Sequence, residues 1–226
     1  MPELFQNEGK SPADLLLEHC RYGNLEGVTT TLKSGVEVNS RMSGKGYTGL
    51  MIALVKNHNE VVKLLLEQPD LDVNMNYNGS TAVHYAVHGN NLVGLHMLLH
   101  RKDLDSTSVN KLDKNWTCTP LKLALLYNYP QCFSLLLADK RCDPNQKDIR
   151  DCTPLMFAVA KEMPNCVSLL LDNPRVDPNI KRKGFGSALM YAVTYNRTKV
   201  LTLVKYGHND DGDNFDTIVG RPRRLA

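Results

Sequence analysis

Thr119-Pro120-Leu121-Lys122-Leu123-Ala124 and, 34 residues later, Thr153-Pro154-Leu155-Met156-Phe157-Ala158 are one phrase written twice. It returns as Thr48-Gly49-Leu50-Met51-Ile52-Ala53, Thr81-Ala82-Val83-His84-Tyr85-Ala86 and Ser187-Ala188-Leu189-Met190-Tyr191-Ala192, with the leading hydroxyls 33, 38, 34 and 34 residues apart. A hydroxyl followed by Pro or a small residue opens a helix. Its oxygen accepts from a free N–H, and proline gives up a donor that had no partner. Leu155 and Ala158, three apart, then fall on one buried face. Self-similarity at this period means a stack of like units.

Two further phrases complete each unit. Val62-Lys63-Leu64-Leu65-Leu66, Leu95-His96-Met97-Leu98-Leu99, Phe133-Ser134-Leu135-Leu136-Leu137 and Val167-Ser168-Leu169-Leu170-Leu171 read as a second helix. Asp72-Val73-Asn74, Ser108-Val109-Asn110, Asp143-Pro144-Asn145 and Asp177-Pro178-Asn179 close the unit, with Asn39 in the same column. Polar breaks such as Asn57-His58 and Asn128-Tyr129-Pro130 part the two helices, and Pro69, Pro144, Pro174 and Pro178 keep the second from continuing. Each unit is helix, turn, helix, extended turn.

The unit resembles the ankyrin repeat, whose period is about 33 residues with a T-P-L-H-x-A signature. The resemblance implies an all-α solenoid of stacked helix-turn-helix units joined by β-hairpin-like loops. It covers residues 13–208, as six units starting near 13, 46, 79, 117, 151 and 185. Residues 1–12 are then an N-terminal extension and 209–226 a polar tail. The first unit, built on Leu15-Leu16-Leu17 and Leu25–Val28, lacks the Thr-Pro start. The third carries about four extra residues near Asp103–Ser108, expected to form a loop.

Composition agrees with a globular chain: 226 residues, 42% hydrophobic, 23% charged, net charge +3. No apolar run nears the roughly 20 residues of a membrane span, and Met1–Glu8, with two acids, is no secretory signal. The expected compartment is the cytoplasm, with the nucleus as the second reading. Residues 181–226 hold 9 of the 27 Lys and Arg but only 4 of the 24 Asp and Glu. Nucleic acid is therefore the alternative ligand, through Lys181-Arg182-Lys183 and Arg221–Arg224. The runs are short, and Asp210–Asp216 separates them, which argues against it.

Sites of chemistry are not found. Gly44-Lys45-Gly46-Tyr47-Thr48-Gly49 spells G-x-G-x-x-G but falls between repeats, without the strand-to-helix setting a dinucleotide requires. His84/His88 and His96/His100 have metal-ligand spacing, yet sit on successive helices facing opposite sides. Cys118/Cys152 and Cys132/Cys166 repeat with the 34-residue period, as small packing residues of a reducing compartment would. Neither metal nor cofactor is expected, and the chain is read as a monomeric non-enzyme.

What remains is a surface. The resemblance implies binding of a protein partner in a concave groove, through the hairpin tips and the exposed side of the first helices. Counting from the capping residues gives Lys45, Tyr77, Asn78, Trp116, Arg150 and Lys183 at the tips, and Lys56, Tyr127, Lys161 and Tyr195 at the helix ends. Trp116, the one Trp, lies in a polar stretch, and Trp, Tyr and Arg dominate binding hot spots. The alternative is that Trp116 folds back on the third-unit insertion. The spacing of Leu66 to Asn74 is also similar to that accepted by an asparaginyl hydroxylase in many ankyrin repeats, which makes Asn74 a candidate for hydroxylation. The other reading is that Asn74 simply closes its hairpin.

Overall fold

Hydroxyls start the first helices as the sequence marks them. In the computed structural model, which describes residues 10–42, 46–114 and 117–201, the side-chain oxygens of Thr48, Thr119, Thr153 and Ser187 accept from the N–H of Met51, Lys122, Met156 and Met190 at 3.2–3.4 Å. The chain forms two bodies, 1–115 and 116–226. The first holds α1 (Pro12–Tyr22), α2 (Leu25–Lys33), α3 (Gly49–Val55), α4 (Asn59–Leu66), β1 (Asn76–Tyr77), β2 (Ser80–Thr81), α5 (Ala82–His88), α6 (Leu92–Leu99) and α7 (Ser106–Asn110). The second holds α8 (Pro120–Leu126), α9 (Pro130–Ala138), α10 (Pro154–Ala160), α11 (Pro164–Leu171) and α12 (Ala188–Thr194).

Helices pack in two rows within each body. In the first, α1, α3 and α5 lie side by side, as do α2, α4 and α6; in the second, α8, α10 and α12 form one row, and α9 packs on α11. Leu54, Val83, Leu65 and Leu95 in the first body, and Leu123, Ala158, Phe133 and Leu136 in the second, are completely buried. A buried Leu or Phe contributes about 1.5–3 kcal/mol relative to exposure, so the two rows hold each other.

A left-handed residue follows the first helix of each described repeat. Gly23, Asn57, Asn90, Asn128, Glu162 and Asn196 occupy this column, with φ of 70, 60, 48, 55, 52 and 51°. Gly and Asn tolerate that region; Glu162 is the exception.

Asparagines tie successive hairpin bases together. Asn39 donates to Asp70 O at 2.7 Å and accepts from Asp72 N at 2.9 Å. Asn74 does the same with Asp103 O and Asp105 N at 2.7 and 3.0 Å, and Asn145 with Arg175 O and Asp177 N at 2.7 and 2.9 Å. Each clamp satisfies one donor and one acceptor of irregular backbone that no helix serves. An Asp two residues before the second and third clamps holds them in place: Asn74 N and Asn145 N donate to Asp72 and Asp143.

Three expectations are corrected. The first unit does start on hydroxyl and proline: Ser11 caps α1, accepting from Asp14 N at 3.1 Å, and Pro12 is its first residue. The third-unit insertion is not a loop but α7, capped by Asp105, whose Ser108 carbonyl accepts from Thr81 Oγ1 at 2.9 Å. Asn110 consequently leaves the clamp column and donates to Ser106 O within α7.

Candidate partner-binding surface

The hairpins begin from left-handed glycine and asparagine. Between β1 and β2, Asn78 and Gly79 both have positive φ, 51 and 82°, the two-residue turn that matches strand twist. Gly46, at φ 67°, turns the preceding hairpin, where Met42 N donates to Tyr47 O at 2.8 Å. A Cβ on Gly46 would lie 2.4 Å from the Tyr77 ring. Gly46, the central glycine of the G-x-G-x-x-G match, thus serves a turn and a ring, and Gly49 packs against Cys20.

That contact changes the standing of Tyr77. Its ring meets Tyr47 edge-on at 4.9 Å, and Tyr47 in turn meets the buried Tyr85 at 5.8 Å. Burial pushes the Tyr85 hydroxyl up to about 12. Tyr77 is half-buried, leaving only part of the ring for a partner, whereas Asn78 and Lys56 are exposed. In the second body Arg150, Lys161, Lys183 and Tyr195 are exposed, while Tyr127 is half-buried with its ring 5.7 Å from Tyr129. Lys45 and Trp116 lie outside the described residues.

The first-helix ends share a common geometry. Lys56, Tyr127, Lys161 and Tyr195 are each the C-cap residue of α3, α8, α10 and α12, directly before the left-handed turn. In α3, α8 and α10 the helix buries most of its other positions, and the cap is the point where the side chain leaves the stack.

Candidate chemistry resolves into structure. His84 is completely buried, and its Nδ1 accepts from Thr81 N at 3.2 Å, so it takes part in a capping box rather than pairing with exposed His88. His96 and His100 are exposed on α6 with rings 4.0 Å apart. Among the described residues no cluster of three His, Cys, Asp or Glu could hold a metal ion. Five cysteines are buried and Cys152 is half-buried; burial raises the Cys20 and Cys142 thiols to about 12 and Cys132 to about 11. Such thiols are packing groups, not nucleophiles.

Sequence reasoning missed two groups. Lys122 forms a buried ion pair with Asp148, and its ammonium sits 4.9 Å from the Phe157 ring centroid. Asp148 also accepts from the N–H of Arg150 and Cys152 at 2.8 and 2.9 Å, so the pair shapes the hairpin that presents Arg150. A lysine in the column that elsewhere holds Met51, His84, Met156 and Met190 was the available signal. The second group is aromatic: Arg182 lies over the Phe185 ring at 4.3 Å, Phe185 is 6.4 Å from Tyr191, and Tyr191 stacks on Tyr195 at 4.4 Å.

A family model described as ankyrin repeats (3 copies) matches residues 16–111 and 121–214. The chain belongs to the ankyrin-repeat family. Its fold is also that of the crystal structure of the ankyrin repeat domain of Bcl-3, described as a unique member of the IkappaB protein family: TM-score 0.76 over 96% of each chain at 23% identity. A second likeness is to the human transient receptor potential cation channel subfamily A member 1, 34% identical over 122 residues. That match takes in 53% of the ankyrin-repeat chain but only a tenth of the channel subunit's length. Ankyrin repeats generally mediate protein–protein interaction and are typically non-catalytic. Among the described residues no helix is long and apolar enough to cross a membrane.

Proposed function

We propose that this chain is a non-catalytic, monomeric interaction module that binds a protein partner through its hairpin tips and the C-cap ends of its first helices. The observation that carries the reading is the recurrence of Lys or Tyr, exposed or half-exposed, at the caps Lys56, Tyr127, Lys161 and Tyr195, one position before the turn. Aliphatic columns are committed to stacking, so recognition falls to side chains that the stack leaves outside. Tyr77 and Asn78 on the hairpins of the first body, and Arg150 and Lys183 on those of the second, are included in the reading, and Lys45 and Trp116 are assigned to it from the sequence. Cytoplasm is the proposed compartment, with the nucleus second, and the burial of five of the six cysteines as packing groups supports a reducing one.

The test compares one bound protein across variants. A partner captured by the wild-type chain and identified by mass should be lost, at least about tenfold, on Tyr127→Ala and Lys56→Ala, since central anchors typically cost more than about 2 kcal/mol. Lys63→Ala, exposed on α4 in the other row, should retain it. Equal retention by all three would place the surface elsewhere. Nucleic acid as the ligand would show instead as a steep loss of affinity with salt.

A further inference from the structure

We propose that the neighbouring hairpins 147–152 and 181–186, with the end of α12, form a receptor for an acidic peptide segment carrying an aromatic side chain. This rests on the interaction reading above and names the partner's chemistry. The two hairpins are tied to each other. Lys147 Nζ donates to Asp151 Oδ1 at 2.8 Å and to the Lys181 carbonyl at 2.9 Å, and Lys183 N donates to Asp151 Oδ2 at 3.0 Å.

The carboxylates of the first hairpin are therefore engaged within the fold. Asp148 serves Lys122 and two backbone N–H groups, and Asp151 serves Lys147 and Lys183 N. The cations above them are not matched: the Arg150 and Lys183 side chains are exposed, and no described carboxylate pairs with either. A surface with surplus positive charge favours an acidic partner by complementarity.

Apolar exposure decides between an acidic peptide and a phosphate backbone. Ile149 is 64% exposed and Phe185 42%, and a Cβ on Gly184 would meet nothing within 4 Å, so no described part of the chain covers this tip. A polyanionic backbone gains nothing from Ile149. One face of the Phe185 ring, which could have stacked a base, already carries the Arg182 guanidinium at 4.3 Å. A peptide uses both features: its carboxylates meet Arg150, Arg182 and Lys183, and its ring covers the exposed Ile149.

The experiment titrates the full chain into a short fluorescein-labelled peptide of Glu and Asp around a single Phe, followed by anisotropy. The expected result is saturable binding, weakened at least about tenfold by Arg150→Glu with Lys183→Glu, and likewise by Ile149→Ser or by replacing the peptide's Phe with Ala. Lys63→Ala should bind as wild type, and melting curves should be unchanged because the altered side chains are exposed. Tighter binding of labelled oligo-dT than of the peptide would overturn the proposal in favour of nucleic acid. Binding that appears only when Asp210, Asp211, Asp213 and Asp216 are all changed to Asn would assign the surface to the chain's own acidic segment and overturn a partner in trans. Absence of peptide binding, while partner capture still depends on Tyr127 and Lys56, would sink this inference and leave the interaction reading standing.

Discussion

Lys122 and Asp148 pair inside the second body with only 7% and 6% of their side chains exposed. Two charges removed from water lose hydration that their attraction only roughly restores, so such a pair adds little net stability, yet breaking it is costly. Lys122→Met, which installs the residue found at Met156 in the same column, leaves Asp148 buried beside its two N–H donors without its cation. The expected cost is about 3–5 kcal/mol in denaturant unfolding. Adding Asp148→Asn should recover most of it, because the amide oxygen still accepts and no charge is stranded. Additive losses in the double variant would show that the two residues do not act as a pair.

The sequence carries the fold through repetition and the surface through exclusion, and these differ in reach. Thr119, Thr153 and Ser187 could be placed on helix starts because the cap bond spans three residues, a distance the sequence displays. The Lys122–Asp148 pair spans 26 residues, most of one repeat, and nothing local announces it. Ser11-Pro12 is hard to read as a start because Ala13 and Asp14 follow it, where the other first-helix caps are followed by Leu or Val and then a larger side chain. Leu16 and Leu17 still keep the buried register five and six residues past the cap. In α7 the single apolar column residue, Val109, leaves no periodicity to read. Tyr77 looked like a free tip because the emptiness above Gly46 belongs to the previous hairpin.

Acid should weaken the first repeat through His19. Burial, the largest influence on it, holds its imidazole below the ordinary value of 6.5. The unfolded chain takes up a proton near 6.5 while the folded chain resists it, so unfolding binds protons and stability falls as pH drops below that value. Melting followed at pH 7.5 and 5.5 should show a modest fall for the wild type, and His19→Gln should reduce it. An identical fall in His19→Gln would clear His19 of the effect.

Asn145 holds the fourth repeat to the fifth through Arg175 O and Asp177 N, so Asn145→Ala should cost about 1–3 kcal/mol by leaving a carbonyl and an N–H unserved. Asn145→Asp keeps the acceptor, loses the donor and should fall between. Asn74 makes the same clamp, and its proposed hydroxylation can be tested on cellular protein by mass spectrometry of the Asn74 peptide. An added oxygen on Asn74 would support the modification; unmodified peptide under full oxygen would leave Asn74 as a clamp alone.

Glu162 stands in the column where the other described repeats place Gly or Asn, with φ at 52°. For an ordinary L-residue the left-handed region brings Cβ against backbone and costs roughly 1–2 kcal/mol; asparagine offsets this by local hydrogen bonding, and glycine avoids it. Glu162 N donates to Val159 O at 3.1 Å, closing the turn after α10, so the conformation is imposed by the helix end and cannot relax without opening it. Glu162→Asn should therefore stabilise the chain by about 1 kcal/mol, read as a higher denaturant midpoint at unchanged slope. Glu162→Gly removes the clash but frees the unfolded chain, at a cost of about 0.4–1 kcal/mol, and should gain less. Glu162→Ala keeps the Cβ and should gain nothing from strain relief. An asparagine variant no more stable than the alanine one would mean that the left-handed turn at 162 carries no strain for the substitution to remove.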